Sequence, residues 1–140
     1  FVRDAGYIVS TVLDIFDSNG VEVAVLDTTV NHMPEVFEYQ FEPEVLDYDP
    51  EGQHRYILAG RSCLAGDIFG DYTFDQPLKI GNRVTFTEMG AYTQPKAHTF
   101  NGINLPNVYA YTKSGELSLI ASMDYENFAA RNGAQQLAYS

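Results

Sequence analysis

Asn19 and Gly20 lie between residues 6–16, which are rich in Val, Ile, Thr and Tyr, and residues 21–26, which contain three valines. An Asn-Gly pair is the strongest short hairpin signal, because both residues tolerate the positive φ angles that a two-residue turn requires. Valine occupies every second position from 21 to 25, as expected of a strand with one face turned inward. The sequence therefore predicts a β-hairpin over residues 6–26, and the fold must contain an antiparallel sheet.

The rest of the chain repeats this pattern of short strands separated by turns, with little helix. Such a pattern favours an all-β fold, a Greek-key β-barrel or sandwich with a short C-terminal helix. The predicted elements are strands at residues 35–41, 54–59 and 83–89, a second hairpin formed by 108–112 and 117–123, a surface loop at 43–53, a glycine-rich loop at 60–70, a turn at 79–82, and a helix at 125–131 with Asp124 as its N-cap.

Length and hydrophobicity limit the chain to one domain with its own core. It has 140 residues, of which 45% are hydrophobic, enough for one core and too few for two ordinary domains. It has neither a run of about 18 apolar residues nor a signal-peptide pattern, so we expect a soluble cytoplasmic protein. The first residue is Phe1 rather than Met, which predicts a chain cut from a longer protein.

Charge and cysteine content narrow the function classes further. The net charge is −11, which argues against nucleic acid and anionic membranes as partners. A cationic ligand is compatible with it, although solubility alone is the plainer explanation. The single cysteine, Cys63, excludes an intramolecular disulfide and any multi-cysteine metal site, and we expect no metal. Taken alone, such a cysteine is usually a small buried hydrophobe.

Four segments together resemble the fold-type III pyridoxal phosphate-dependent decarboxylases. Residues 60–67 (Gly-Arg-Ser-Cys-Leu-Ala-Gly-Asp), called the cysteine loop below, resemble the cysteine loop of that family. Residues 89–93 contain its Gly-Ala-Tyr motif and residues 100–102 its Phe-Asn-Gly motif, in the same order and spacing. The fourth is the pattern of residues 4–7 and 11–15 with Asn-His-Met-Pro at 31–34, which looks like the carboxynorspermidine/carboxyspermidine decarboxylases in particular.

The resemblance implies a two-domain homodimer with pyridoxal 5'-phosphate as cofactor. An N-terminal TIM barrel domain of about 250 residues would supply the Schiff-base lysine, and residues 1–140 would form the C-terminal β-domain that follows it. Lys79, Lys96 and Lys113 lie in turn or loop patterns, and none matches the family's catalytic lysine. The lysine is therefore expected outside this chain.

The resemblance also assigns roles to two residues. Cys63 matches the cysteine that enters the partner subunit's active site close to the substrate Cα and acts in catalysis. A thiol, with a pKa of about 8.5, can give or take a proton near neutral pH. Tyr92 matches the tyrosine at the phosphate end of the cofactor, where its phenol offers one donor.

Three further residues are candidates for substrate binding, each with a structural alternative. Asp67 matches an acid of the dimer-interface site, but a carboxylate that caps its own loop is equally expected. His32 lies near where ornithine enzymes have another acid, although a lone histidine is more often structural. Asn101, with Phe100, matches the pocket wall, and a turn role for Asn101 is nearly as strong.

Leu64 departs from the family pattern in a way that bears on the substrate. Ornithine and diaminopimelate enzymes carry an acid directly after the cysteine, and leucine cannot hold an ammonium group. The sequence therefore predicts decarboxylation of a longer cationic substrate, carboxynorspermidine or carboxyspermidine, to norspermidine or spermidine. The alternatives are a diaminopimelate or related amino-acid decarboxylase, or a non-catalytic homologue that acts by binding.

Overall fold

The computed structural model describes residues 6–38, 40, 42–62, 64–89, 97, 103, 105–111 and 114–121. The chain divides into two compact units, Phe1–Ala97 and His98–Ser140, and each is described by itself. Strands dominate the described residues of both units, which confirms the predicted all-β class.

The first unit contains one five-stranded sheet with the strand order β4-β3-β2-β1-β5. Every neighbouring pair is antiparallel except β2 and β3, which are parallel. The last strand returns beside the first, as in a Greek key, whereas the parallel pair departs from the predicted pattern. The elements are β1 (Ile8–Ser18), β2 (Val21–Leu26), a 3₁₀ turn (Val30–His32), α1 (Pro34–Glu38), β3 (His54–Ala59), β4 (Ile68–Phe74) and β5 (Arg83–Phe86).

The β1–β2 hairpin forms as predicted. Ser18 pairs with Val21, which leaves Asn19 and Gly20 as the two turn residues. Their φ angles are 53° and 86°, the left-handed values that a tight hairpin turn needs. The turn type and the strand twist therefore agree, and these two residues set the register from Ser18 back to Asp14, beyond which it shifts between Asp14 and Val12.

The sheet curls until its two edge strands meet through side chains. Phe69 on β4 and Phe86 on β5 are almost fully buried, and their ring centroids are 4.8 Å apart. Because β4 and β5 lie at opposite edges of the sheet, this contact brings the edges together around one core. The buried apolar side chains of the core include Val12, Ala24, Leu26, Met33, Tyr56, Leu58, Phe69, Tyr72, Phe74, Val84 and Phe86.

The segment predicted as a surface loop at 43–53 instead bridges the two edges. On one side the Leu46 N–H donates to the Thr85 carbonyl of β5 at 2.9 Å, and on the other the Asp49 N–H donates to the Thr73 carbonyl of β4 at 2.9 Å. Several side chains between residues 46 and 51 are exposed as predicted, but Pro43 is fully buried. The segment therefore covers backbone groups that an open sheet would leave unpaired.

Tyr72 fixes the start of this bridging segment. Its buried hydroxyl donates to the carbonyl of Pro43. Burial raises the pKa of the phenol, and the nearby Glu42 carboxylate raises it further. The hydroxyl therefore remains protonated, and remains a donor, throughout the physiological range.

Two other predictions from the sequence are wrong in part. Where a strand was predicted at 35–41, residues up to Glu38 belong to a short helix, α1, and 39 and 41 lie outside the described residues. Pro34 at the first position of α1 has a φ suited to a helix, and Glu35 places an acid in the first turn. The loop predicted at 60–70 ends earlier, since Ile68 already begins β4 and pairs with Ala59. Gly70 and Asp71 interrupt the apolar residues of this strand, so its start gave no periodic signal.

The second unit contains the predicted second hairpin. Strands β6 (Val108–Tyr111) and β7 (Leu117–Ala121) pair antiparallel. The helix predicted at 125–131 lies outside the described residues. Among the helices that the structure does describe, none has the length and apolarity to cross a membrane.

An exposed ion pair links β3 to β4 on the outside of the sheet. The Arg55 guanidinium donates to both carboxylate oxygens of Asp71, with Nε 2.9 Å from Oδ1 and 3.0 Å from Oδ2. This hydrogen bond is the main reason that the pKa of Asp71 is lower than usual. The pair contributes little at the surface, where water and salt screen it.

We predict that Asp71→Asn lowers the free energy of unfolding slightly at neutral pH. Because the folded-state pKa of Asp71 is lowered, its contribution is complete above the ordinary aspartate pKa of about 3.9. It is lost as the pH falls through the lowered value, so variant and wild type converge in acid. Urea unfolding from pH 7 down to about pH 2 measures this.

The exposed acid Glu51 provides the control, as Glu51→Gln. The control should show no difference of this size at neutral pH. A gap between Asp71→Asn and wild type that stays constant down to the lowest pH would contradict the assignment to the ion pair.

Candidate functional site

Two segments of the first unit meet because β2 and β3 are parallel. Val25 pairs with Ala59 near the carboxyl ends of the two strands, so both strands finish at the same end of the sheet. The pairing continues beyond the strands, where the Arg61 N–H donates to the Thr28 carbonyl at 3.1 Å. The turn of residues 28–33 after β2 and the cysteine loop after β3 are therefore neighbours.

The Asp67 carboxylate joins these two segments. Its Oδ1 accepts from the Val30 N–H at 2.8 Å, and its Oδ2 accepts from the Thr29 hydroxyl at 2.9 Å. Oδ2 also accepts from the N–H and the hydroxyl of Ser62, the former at 3.0 Å. With only 6% of Asp67 exposed, these donors satisfy a carboxylate that is almost out of contact with water.

This geometry is the loop-capping arrangement that the sequence offered as one alternative for Asp67. Backbone N–H groups and hydroxyls hold the charge, and the Gly60 N–H closes the loop by donating to the Asp67 carbonyl at 2.8 Å. A part for Asp67 in a dimer interface stays a prediction.

The residues on either side of Cys63 are tied into the same network. Ser62 donates to Asp67, and the Ser62 hydroxyl accepts from the Leu64 N–H at 3.3 Å. The Leu64 carbonyl accepts from the Asp67 N–H at 3.1 Å. The side chain of Leu64 is partly buried and packs against the hydrophobic core. Cys63 itself lies outside the described residues, but both of its neighbours are held.

His32 is almost fully buried at the end of the 3₁₀ turn. Its Nδ1 is 2.8 Å from the Thr28 hydroxyl, and 3% of the residue is exposed. The turn starts at Thr29, whose side chain caps it by accepting from the Asn31 N–H. The structure therefore brings His32 and Asp67 to the same end of the sheet, since Thr29 and Val30 bind Asp67 directly.

Asn31 adds an unsatisfied donor to this turn. The residue is 5% exposed, and within the part of the chain that the structure describes its Nδ2 has no hydrogen-bond acceptor. Buried amide groups are normally paired, so this one calls for an acceptor from elsewhere.

The remaining candidates cannot be located in the same way. Tyr92 and Asn101, like Phe100, lie outside the described residues.

The turn and the cysteine loop also contain two contributors that the sequence did not single out, Thr29 and Ser62. The signal that could have indicated Ser62 is its position five residues before an aspartate in a glycine-rich loop, where hydroxyls and carboxylates pair locally.

Gly60 is required by the close approach of the Asp67 carboxylate. A Cβ added at residue 60 would lie 2.3 Å from Asp67 Oδ1, far closer than any stable contact. The carboxylate cannot retreat without losing the hydrogen bonds that hold it.

We therefore predict that Gly60→Ala lowers the free energy of unfolding by about 1–3 kcal/mol, the usual effect of overpacking. Urea denaturation measures the difference. The control is Ala65→Ser at an exposed position of the same loop, expected to stay within about 0.5 kcal/mol of wild type. Equal stability of Gly60→Ala and wild type would show that the loop does not depend on this contact.

A family model described as the C-terminal sheet domain of pyridoxal-dependent decarboxylases matches residues 2–90. The chain is 40% identical over 131 residues to a carboxyaminopropylagmatine decarboxylase of Synechocystis sp., and 36% identical over 141 residues to a carboxynorspermidine/carboxyspermidine decarboxylase of Campylobacter jejuni. Each alignment covers 91% of this chain but 34% and 37% of the relatives. The chain thus spans about a third of their length.

Solved structures of decarboxylases also match this chain. The crystal structure of carboxynorspermidine decarboxylase from Campylobacter jejuni, complexed with norspermidine, matches with a TM-score of 0.87 and 35% identity, over 93% of this chain and 39% of that chain. Diaminopimelate decarboxylase of Methanocaldococcus jannaschii matches with a TM-score of 0.75 over 93% of this chain and 30% of that one; at 21% identity it shows a common fold.

Proposed function

Since the chain belongs to the pyridoxal-dependent decarboxylases, as their C-terminal sheet domain, we propose that it forms part of an enzyme that decarboxylates a carboxylated polyamine. The substrate we propose is carboxynorspermidine or carboxyspermidine, and the products are norspermidine or spermidine. The observation that carries this proposal is the similarity to the Campylobacter jejuni enzyme, at 36% identity and over nearly the whole chain.

In this proposal residues 1–140 are the C-terminal β-domain, and a TIM barrel domain and a second subunit complete each site. The length of the relatives supports this, because about two thirds of each lies outside the match. The intact polypeptide should then be about three times the present chain, given the size of such barrels.

The described residues suit a domain that completes a cofactor site and does not hold the cofactor covalently. Lys79, the one described lysine, lies in an exposed turn where its N–H donates to Asn82. The unsatisfied Asn31 amide is a donor that an acceptor outside the described residues could meet. Pyridoxal phosphate, when bound, supplies an electron sink that lets the α-carboxylate leave as CO₂.

The part of this chain in catalysis is then to hold and deliver a proton at the Sγ of Cys63. A proton donor must be within hydrogen-bond reach of the atom that it protonates. Ser62 and Leu64, which flank the cysteine, are both fixed through Asp67. We propose Tyr92 as a donor to the cofactor phosphate, and His32, Asp67 and Asn101 as contributors to the substrate-binding side of the site.

The surroundings of Leu64 support a substrate longer than ornithine or diaminopimelate. Where relatives with those substrates carry an acid, this chain has an apolar side chain that packs on the core. A distal ammonium group would have no partner there, so it should bind farther from the cysteine. The net charge of −11 favours the approach of a polycation in general.

Carboxyaminopropylagmatine is the second candidate substrate. The Synechocystis relative named for it is 40% identical to this chain, slightly more than the Campylobacter jejuni enzyme. The two candidates share a carboxylated aminopropyl end and differ at the other end, where a guanidinium replaces an amine.

An assay of the intact protein with a panel of substrates tests the proposal. We expect CO₂ release from carboxynorspermidine, carboxyspermidine or carboxyaminopropylagmatine with a kcat/KM at least about 100-fold above that for diaminopimelate, since buried groups meant for a polyamine would be left unpaired. A preference for diaminopimelate would overturn it. An intact protein with neither cofactor absorbance nor a cofactor lysine would instead support a non-catalytic binding homologue.

We further predict that Cys63→Ala in the intact protein lowers kcat by about 100-fold, the usual worth of a positioned proton donor. Binding of pyridoxal phosphate should persist, because the thiol is not one of the proposed cofactor contacts. Cofactor absorbance and steady-state kinetics measure the two effects. An unchanged kcat would remove Cys63 from the mechanism.

A further inference from the structure

We infer that Thr29, Ser62 and Asp67 act together as positioning residues for Cys63, and that the Ser62 hydroxyl is the link that transmits the position. The inference rests on the proposed function and concerns the same site. It adds Thr29 and Ser62, which have no contact with the substrate in the proposed function, and gives Asp67 a second role beside its proposed one on the substrate-binding side. All three act by fixing the backbone on both sides of the cysteine.

The Asp67 carboxylate is itself held by residues outside its own loop. It is buried and receives hydrogen bonds from residues that are 37 and 38 positions earlier in the chain, Val30 and Thr29. These two residues follow β2, whose position is set by pairing on both sides in the sheet. The position of Asp67 is therefore fixed relative to the sheet as well as to its own loop.

Ser62 connects Asp67 to the backbone on both sides of the cysteine. Its hydroxyl donates to Asp67 and accepts from the Leu64 N–H, so one oxygen connects the carboxylate to the residue after Cys63. Its own N–H also donates to Asp67 at 3.0 Å, which fixes the residue before Cys63. Alanine at position 62 would keep the bond from its own N–H to Asp67 and would remove the two bonds that the hydroxyl makes.

A fixed backbone aligns the proton donor with the atom that it protonates. The transfer requires a short, aligned approach, and a displacement of about 1 Å can cost up to about 100-fold in rate. Substrate binding does not depend on this alignment in the same way. Loss of the Ser62 link should therefore lower kcat much more than it raises KM.

Kinetics of the intact holoenzyme with its best substrate test the inference. For Ser62→Ala we expect kcat to fall by about tenfold with KM within about twofold of wild type. Ser62→Thr, which keeps the hydroxyl, should restore kcat to within about threefold of wild type. Thr29→Val, which removes the other hydroxyl bound to Asp67, should act like Ser62→Ala, and Thr29→Ser should not.

The matched control is Tyr72→Phe, which removes another buried hydroxyl from the same unit but lies on β4 and bonds to Pro43. It should destabilise the protein without changing kcat. A similar fall in kcat for Tyr72→Phe and Ser62→Ala would mean that the effect is general destabilisation, and would overturn the inference.

A second measurement separates this inference from the proposed function. The rate of alkylation of Cys63 by iodoacetamide, followed by mass spectrometry of its peptide across a range of pH, needs no substrate. Ser62→Ala should change that rate profile by at least about threefold, while Tyr72→Phe should leave it unchanged. If the wild type decarboxylates and Ser62→Ala alters neither kcat nor alkylation, the positioning role is wrong and the function stands. If alkylation responds but no substrate is decarboxylated, the positioning stands and the function fails.

Discussion

The parallel pairing of β2 with β3 is the constraint on which the site depends. In an antiparallel pair, the end of one strand lies beside the start of the other. The segments that follow two such strands would therefore leave from opposite ends of the sheet. Here both strands run in the same direction, so the turn of residues 28–33 and the cysteine loop leave from the same end of the sheet. The Asp67 carboxylate can then bind donors from both segments, which fixes a buried charge and a loop with the same set of hydrogen bonds.

The core and the site use the curled sheet in different ways. Phe69 and Phe86 close the sheet through apolar contact, and the segment from Pro43 to Asp49 bonds along both edges. Closure gives partners to backbone groups on both edge strands and provides a stable frame. The cysteine loop is fixed by polar contacts at the end of that frame, so its geometry depends on a small number of specific side chains. A change in one of those side chains can therefore alter the site while the core stays intact.

Local signals in the sequence predicted the parts of the fold that are local in the chain. The Asn19-Gly20 turn and the β6–β7 hairpin follow from neighbouring residues, and the structure has both. The parallel pair was not predictable in this way, because no short-range pattern distinguishes a parallel partner from an antiparallel one. The same limit applies to the site. The motif resemblance selected Cys63, Asp67 and His32. The role of Thr29 appears only in the folded chain, which brings Thr29 to Asp67, 38 positions later in the sequence.

The long connection between β2 and β3 also has a consequence for how the chain folds. The β1–β2 hairpin closes through a two-residue turn, an event of microseconds, whereas β3 can join β2 only after the chain from residue 27 to 53 has been looped back. Pairings between distant parts of a sequence form late, because their entropic cost comes before their contacts. During synthesis the hairpin therefore exists before its parallel neighbour has arrived. Until β3 arrives, β2 is an open edge that another chain could pair with, and the pairing of β5 with β1, between still more distant residues, comes later again.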